Sequence, residues 1–120
     1  MSAERPRQDG QLAAAISNTV VQALARTTGR GPTKAKTTFG ENGVFVVLED
    51  SLTVGERTLN DAGEGRAVLD LRRRWQRVME VDVSRAIEQL TGRKVVGFMS
   101  DNCIDPDLAV EVFVLEALAD

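Results

Sequence analysis

The strongest pattern of apolar and polar positions lies in the second half of the chain and predicts a long helix over residues 65–91. Apolar side chains recur there every three or four residues, and Gly92 follows as a residue type that commonly ends helices. At about 100° per residue, one side of this helix carries Val68, Leu71, Trp75, Val78, Met79, Val83, Ala86, Ile87 and Leu90. Asp82 projects close to that side, so it is either a buried acid with a partner or a sign that the apolar side is exposed there.

Two further helices are predicted by shorter patterns. Apolar residues recur at helical spacing over residues 11–27, with Asp9 available as a cap and residues 28–32 (TGRGP) as a stop. Thr53 and Glu56 have the spacing of a capping box, which predicts a short helix to about Ala62. Residues 1–10 are polar, and we expect them to form a flexible tail before a single domain over residues 11–118.

Four runs of β-favouring residues predict two hairpins, formed by residues 34–39 with 44–49 and by residues 95–100 with 108–115. The segment 105–107 (DPD) would also suit the start of a helix, but the valines that follow it favour a strand. The simplest fold that buries these patterns is α+β. It has a mainly antiparallel four-stranded sheet, with the N-terminal, short and long helices packed on one face.

Composition narrows the chemistry that this fold can support. The 120 residues include no histidine, which excludes Ser-His and Cys-His nucleophile pairs, histidine-bearing zinc sites and a histidine pH switch. Cys103 is the one cysteine and cannot form an internal disulfide, so we expect a reducing compartment. No apolar stretch is long enough for a membrane span or a secretory signal, and we therefore expect a cytoplasmic location.

Positive charge is concentrated in two places, although the net charge is −3 and disfavours general nucleic-acid coating. A glycine-rich loop could hold a small anion or nucleotide through its amides and basic side chains, or could simply end one helix and begin a strand. Its candidate residues are Gly29, Arg30, Gly31, Thr33, Lys34 and Lys36. The long helix carries Arg66, Arg73, Arg74 and Arg77 on its polar side, as a face for a partner or for nucleic acid, or as a solvated face. Arg72 lies nearer the apolar side and is expected to pair with an acid or to contact another subunit.

Acidic clusters offer weaker candidates. The segment 100–107 (SDNCIDPD) holds three carboxylates and a thiol, but its spacing is not that of a calcium loop, and turn formation explains it as well. Glu49 and Asp50 lie at the end of a strand and precede Glu56 and Arg57, a pattern that structural ion pairs also explain. No grouping combines nucleophile, base and oxyanion donors. We therefore expect no catalytic residue, metal or cofactor, and hold an enzyme that uses Asp101 or Cys103 only as a remaining alternative.

Several ordered motifs together resemble the MpsC family, small bacterial proteins described as components of a sodium-translocating, membrane-potential-generating system. The similarity covers about residues 12–116. The motifs that carry it are 29–37 (GRGPTKAKT), 47–49 (VLE), 52–53 (LT), 56–59 (ERTL), 90–96 (LTGRKVV), 98–101 (FMSD), 105–107 (DPD) and 111–115 (EVFVL).

The resemblance implies a cytoplasmic accessory protein associated with a membrane system that builds membrane potential or takes up inorganic carbon. We do not expect the chain to carry ions itself, because it holds no stretch long enough to span a bilayer. Our leading hypothesis is a non-enzymatic regulatory protein, expected to be a homodimer, that docks on a transport-system partner through the long helix and binds a small anion at residues 29–36. The alternative is a nucleic-acid-binding regulator that uses the arginine face of the long helix.

Overall fold

The computed structural model describes residues 5–118 and the side chains of residues 9–118, and it has two layers, a sheet and the helices on one of its faces. The elements in chain order are α1 (Arg5–Thr28), β1 (Lys34–Gly40), β2 (Gly43–Glu49), α2 (Val54–Asp61), α3 (Gly65–Thr91), β3 (Val95–Cys103) and β4 (Leu108–Leu115). The predicted α+β fold, with two hairpins and three helices, is confirmed.

The helix ends follow local sequence signals at three of the predicted places. Thr53 Oγ1 accepts a hydrogen bond from the Glu56 amide at 3.1 Å, and a Glu56 carboxylate oxygen accepts one from the Thr53 amide at 2.8 Å, so the capping box of α2 is confirmed. Gly29 and Gly92 follow α1 and α3 with φ of 85° and 69°, the left-handed conformation in which glycine carries no Cβ penalty.

The start of α1 differs from the sequence prediction. The helix begins at Arg5 instead of residue 11, so residues 5–10 of the expected tail are helical, while residues 1–4 lie outside the described part of the chain. Asp9, the expected cap, is an exposed residue within the helix. Proline is tolerated in a first helical turn, where its missing N–H has no intrahelical acceptor, so Pro6 does not prevent the earlier start.

The sheet is antiparallel throughout, with strand order β1-β2-β4-β3. Strands β1 and β3 are therefore its edges. The segment 108–115 is a strand, as expected, and does not begin as a helix. Strand β3 runs three residues beyond the predicted end at Ser100, so Asp101, Asn102 and Cys103 belong to a strand instead of a turn.

The core lies between α1, α3 and the two central strands. Ile16 and Val20 from α1, Met79 and Ile87 from α3, and Phe113 from β4 are among its buried members. The apolar side predicted for α3 is only partly correct, because Val78 is 75% exposed and the polar residues Arg72 and Gln76 are buried in its place. Asp82 is exposed as well, so it is not a buried acid with a partner. It marks a place where this side of α3 is open to solvent.

The other face of the sheet, called the outer face below, carries the alternate side chains of each strand. The helix-facing residues of β4 are buried, among them Phe113 and Glu111, whereas Val110 and Val112 are half-buried on the outer face. Phe45, Val47 and Met99 project from the same side and are 40%, 43% and 57% exposed. No helix of the described residues is long and apolar enough to span a membrane.

Candidate functional site

A groove between α3 and the free edge of β3 is a concave surface that includes predicted site residues. Its first part, of about 330 Å³, is lined by Arg73, Arg77, Glu80, Phe98 and Ser100. A second part of about 290 Å³ shares Glu80 and Phe98 and continues along α3. The two parts together are called the α3–β3 groove, and two of the four predicted arginines of the long helix line it.

The second part of the groove is more apolar on its rim. Val81 from α3 and Val96 from β3 contribute to its lining and are 57% and 58% exposed. Val96 lies in a register irregularity between Val95 and Gly97, so regular pairing with β4 resumes at Gly97. Beyond this irregularity, β3 presents an unpaired strand edge beside the arginines.

The arginines at one end of the groove are weakly engaged within the protein. The Arg73 guanidinium lies 3.7 Å from the Asp101 carboxylate, and both side chains are more than half exposed. Exposed pairs of this kind contribute about 0–1 kcal/mol and exchange readily with other partners. Arg77 makes no salt bridge within the described residues. The end of the groove near Arg73 and Arg77 therefore presents two guanidinium groups for an external carboxylate, with Glu80 as the acid beside them.

The other two predicted arginines lie elsewhere. Arg66 and Arg74 are exposed on α3 and do not line the groove. Arg66 lies about two turns before Arg73 on nearly the same side of α3, whereas Arg74 is rotated by about 100° from Arg73 around the helix axis. Arg74 is therefore a useful control, because it lies on the same helix as Arg77, carries the same charge and is also exposed.

Beneath the groove, a buried polar network fixes α3 to the sheet. None of its residues is among the candidate site residues predicted from the sequence. The Arg72 guanidinium donates to both carboxylate oxygens of Glu56 at 3.0 and 3.2 Å and to Ser51 Oγ at 2.7 Å. It also donates to the Asn102 side-chain oxygen at 3.1 Å. Arg72 and Glu56 are each 2% exposed, so the expectation that Arg72 pairs with an acid is confirmed. A single guanidinium nitrogen, Nη1, contacts both Glu56 oxygens, while Nη2 and Nε donate to Ser51 and Asn102, and this charge-assisted pair ties α2 to α3.

The network continues from Asn102 to the centre of the sheet. The side chains of Gln76 and Asn102 form two hydrogen bonds with each other. Gln76 Nε2 donates to Asn102 Oδ1 at 3.1 Å, and Asn102 Nδ2 donates to Gln76 Oε1 at 3.0 Å. Gln76 also donates to a Glu111 carboxylate oxygen at 3.0 Å. Burial raises the pKa of Glu111 to about 8, although the Gln76 hydrogen bond and the nearby Arg72 charge act in the opposite direction. Glu111 is therefore largely protonated at neutral pH, and the network sets the position of α3 relative to β3 and β4.

The predicted anion loop is used mainly for internal contacts. Arg30 donates to the Asp50 carboxylate at 3.0 Å and to the Leu52 carbonyl oxygen at 3.2 Å, and it also donates to the Asp50 carbonyl oxygen. Thr33 donates to the same Asp50 carboxylate at 3.0 Å. These hydrogen bonds hold the pKa of Asp50 below its usual range, the Arg30 contact being the largest cause.

The remaining residues of that loop do not gather around one point. Gly29 is exposed and Gly31 packs close to Val21, where an added Cβ would lie 3.2 Å from a Val21 methyl carbon. Lys34 and Lys36 are exposed on β1 and project from the outer face. Anion binding at residues 29–36 stays a prediction, with Arg30 already paired to Asp50.

Asp50 and Asp107, which belong to the two acidic segments of the sequence, form hydrogen bonds and salt bridges with other described residues. Asp107 accepts hydrogen bonds from the Ser51 and Leu52 amides, each at 3.1 Å, and from Arg57 at 2.9 Å. Arg57 also contacts Asp50 at 2.7 Å. Cys103 is exposed at the end of β3. Within residues 9–118 no cluster of three or more His, Cys, Asp or Glu side chains has the geometry to hold a metal ion.

Fold and site together define a small α+β domain with a groove against an edge strand, and two arginines line one end of that groove. The chain belongs to the MpsC family, described as a Na⁺-translocating membrane-potential-generating system, which it matches over residues 8–117. It is also similar to the uncharacterized protein YrhF of Bacillus subtilis (strain 168), with 31% identity over 94 residues that cover 77% of each chain. No solved structure matches the chain. The resemblance read from the sequence motifs is thereby confirmed.

Proposed function

We propose that the chain is an accessory component of a membrane-potential-generating system and that it acts by binding an extended acidic segment of a protein partner in the α3–β3 groove. The family description supports the first part of this proposal. The observation that carries the second part is the position of Arg73 and Arg77, whose guanidinium groups line a groove beside the unpaired edge of β3.

An extended segment suits this surface better than a helix or a small ligand does. A strand edge offers backbone donors and acceptors along its length, and a peptide that adds to the edge obtains affinity from them without regard to sequence. Alternate side chains of such a peptide then point to the helix side of the sheet, where Arg73 and Arg77 lie. Acidic side chains at those alternate positions of the peptide would complement the two arginines. The peptide side chains between them would lie near Val96 and the edge of the outer face.

The test is fluorescence anisotropy with two labelled ten-residue peptides, one alternating Glu and Val and the other alternating Lys and Val. The intact chain should bind the Glu-Val peptide, and Arg73→Glu with Arg77→Glu should abolish that binding. Arg74→Glu is the matched control and should leave the affinity within about twofold, since exposed charges outside a contact change it little. Binding of neither peptide by the intact chain, or equal loss with Arg74→Glu, would overturn the groove proposal.

A nucleic-acid arm in the same experiment separates the alternative function. Labelled single-stranded and duplex oligonucleotides should bind weakly or not at all at physiological salt, because only two arginines line the groove and the net charge is negative. An oligonucleotide that bound more tightly than the Glu-Val peptide, with a steep salt dependence, would contradict the proposal in favour of a nucleic-acid-binding regulator.

A further inference from the structure

The outer face of the sheet is more apolar than a solvated sheet face should be. In an antiparallel sheet covered on one side, the uncovered strand positions are commonly polar. In β4 this arrangement is inverted, since the one acid, Glu111, faces the helices and the alternate residues on the outer face are all apolar. The four outer-face residues of β4 are Leu108, Val110, Val112 and Val114. Phe45 and Val47 on β2 and Met99 on β3 extend this patch to both sides.

The strand register places opposite charges at the two edges of one row across this face. Lys36 on β1 pairs with Val47 on β2, Val47 pairs with Val110 on β4, and Val110 pairs with Asp101 on β3. The row therefore begins with a cation at one edge of the sheet, crosses two valines and ends with an anion at the other edge. The next row toward the β1–β2 turn contains only Thr38, Phe45, Val112 and Met99.

We propose that the outer face is the interface of a homodimer, with a two-fold axis parallel to the strands. Such an axis reverses the strand order of the second copy, so β1 of one protomer lies over β3 of its partner. Lys36 of each protomer then faces Asp101 of the other, and Val47 faces Val110. A two-fold interface forms each of these contacts twice, which makes the surface complementary to itself.

The alternative two-fold axis, perpendicular to the strands, does not produce this match. It would lay the row of Lys36 over the row of Thr38, so that Lys36 would face Thr38 and Asp101 would face Met99. Both charges would then be opposite uncharged side chains at a partly covered surface, which is unfavourable. With the perpendicular axis placed between these two rows, the charges of Lys36 and Asp101 therefore favour the axis parallel to the strands. Lys34 and Glu49 face uncharged residues in both arrangements and do not distinguish them.

The size of the face fits a weak but specific dimer. Four strands spaced about 4.8 Å apart, with seven residues that rise about 3.4 Å each, give roughly 450 Å² of flat area on each protomer. Side-chain relief increases the accessible area above this value, and the total lies near the lower end of specific interfaces. A depression of about 240 Å³, lined by Val47, Asp101, Cys103, Leu108 and Val110, offers room on the β3–β4 side for the lysine stems of the partner.

Sedimentation equilibrium of the full chain, from low micromolar to millimolar concentration, tests this dimer. The intact chain should show a monomer–dimer equilibrium. Lys36→Glu or Asp101→Lys alone should weaken it about tenfold, because each creates two like-charge contacts for each dimer. The double variant Lys36→Glu/Asp101→Lys should restore dimerisation to within about threefold of the intact chain, since it exchanges the charges while keeping the pairing.

Lys34→Glu is the matched control because Lys34 lies on the same strand and face but would be opposite the uncharged Cys103 of the partner subunit. Its effect should be about threefold or less. Thermal unfolding at a concentration where the chain is monomeric checks that every variant folds. A chain that stays monomeric, a larger closed assembly, or a double variant no better than the single ones would overturn the proposal.

Discussion

The buried carboxyl group of Glu111 gives the protein a pH dependence of stability that one substitution should remove. Its pKa is about 8 in the folded chain against an ordinary value of 4.5, with desolvation as the main cause. Between those two pH values the folded state holds a proton that the unfolded state has released. The free energy of unfolding should therefore fall as the pH rises through this window, and the loss should be complete above about pH 8.

The size of this effect follows from the same shift. Each pKa unit corresponds to about 1.4 kcal/mol, so the full difference between 4.5 and 8 amounts to roughly 5 kcal/mol. That is comparable with the whole stability of a small domain, commonly about 5–15 kcal/mol. Glu111→Gln keeps an oxygen that can accept the Gln76 amide hydrogen bond and does not ionise.

Urea unfolding of the intact chain and of Glu111→Gln, followed by circular dichroism near pH 5 and near pH 9, measures the effect. The two proteins should have similar free energies of unfolding at the lower pH, and the variant should be more stable by several kcal/mol at the higher pH. Other carboxylates titrate in both proteins, so the difference between them isolates Glu111. A difference that is the same at both pH values would refute the assignment of a raised pKa to this residue.

Two further predictions concern the network and the helix ends. Glu56→Gln should destabilise the chain by about 3–5 kcal/mol in urea unfolding, because it leaves the Arg72 charge buried without a counterion, and adding Arg72→Met should recover part of that loss. A double variant no more stable than Glu56→Gln alone would contradict this reasoning. Gly92→Ala should lower stability by about 1 kcal/mol since φ there is 69°, whereas Gly10→Ala, within α1 and with open space around it, should raise it by about 0.5–1 kcal/mol. Equal effects of the two alanines would show that backbone conformation does not control them.

The elements that sequence reasoning located correctly are those with local signals. The capping box at Thr53 and Glu56 involves residues three apart, and the stop at Gly92 needs only a left-handed backbone. Strand β4 was predicted from its β-branched residues alone. The start of α1 was missed because its first residues lack an apolar pattern, although they continue the helix.

The candidate site depended on contacts between distant elements, which local patterns do not report. Burial of Arg72 and Gln76 is possible because Glu56 on α2, Asn102 on β3 and Glu111 on β4 supply their partners. Both sets of alternating positions in β4 are largely apolar, so periodicity alone did not show that Glu111 faces inward. The available signal was that Glu111 lies two residues before Phe113, so both side chains lie on the same face of β4.

The arginine clusters illustrate the same limit. Helical spacing grouped Arg66, Arg73, Arg74 and Arg77 correctly as polar-side residues of α3, but only the position of β3 separates the two that line a groove from the two that do not. Arg30 appeared available for an anion in the sequence because its partner, Asp50, lies 20 residues away at the end of another strand.

The measurement that tests the proposed function most directly is a reversal of peptide preference. The intact chain should prefer the Glu-Val peptide over the Lys-Val peptide, and the variant Arg73→Glu/Arg77→Glu should prefer the Lys-Val peptide, because the groove and its strand edge remain while their charge is inverted. A variant that loses the first peptide without gaining the second would show that the arginines do not act within a groove that binds extended segments. An unchanged preference would contradict their role altogether.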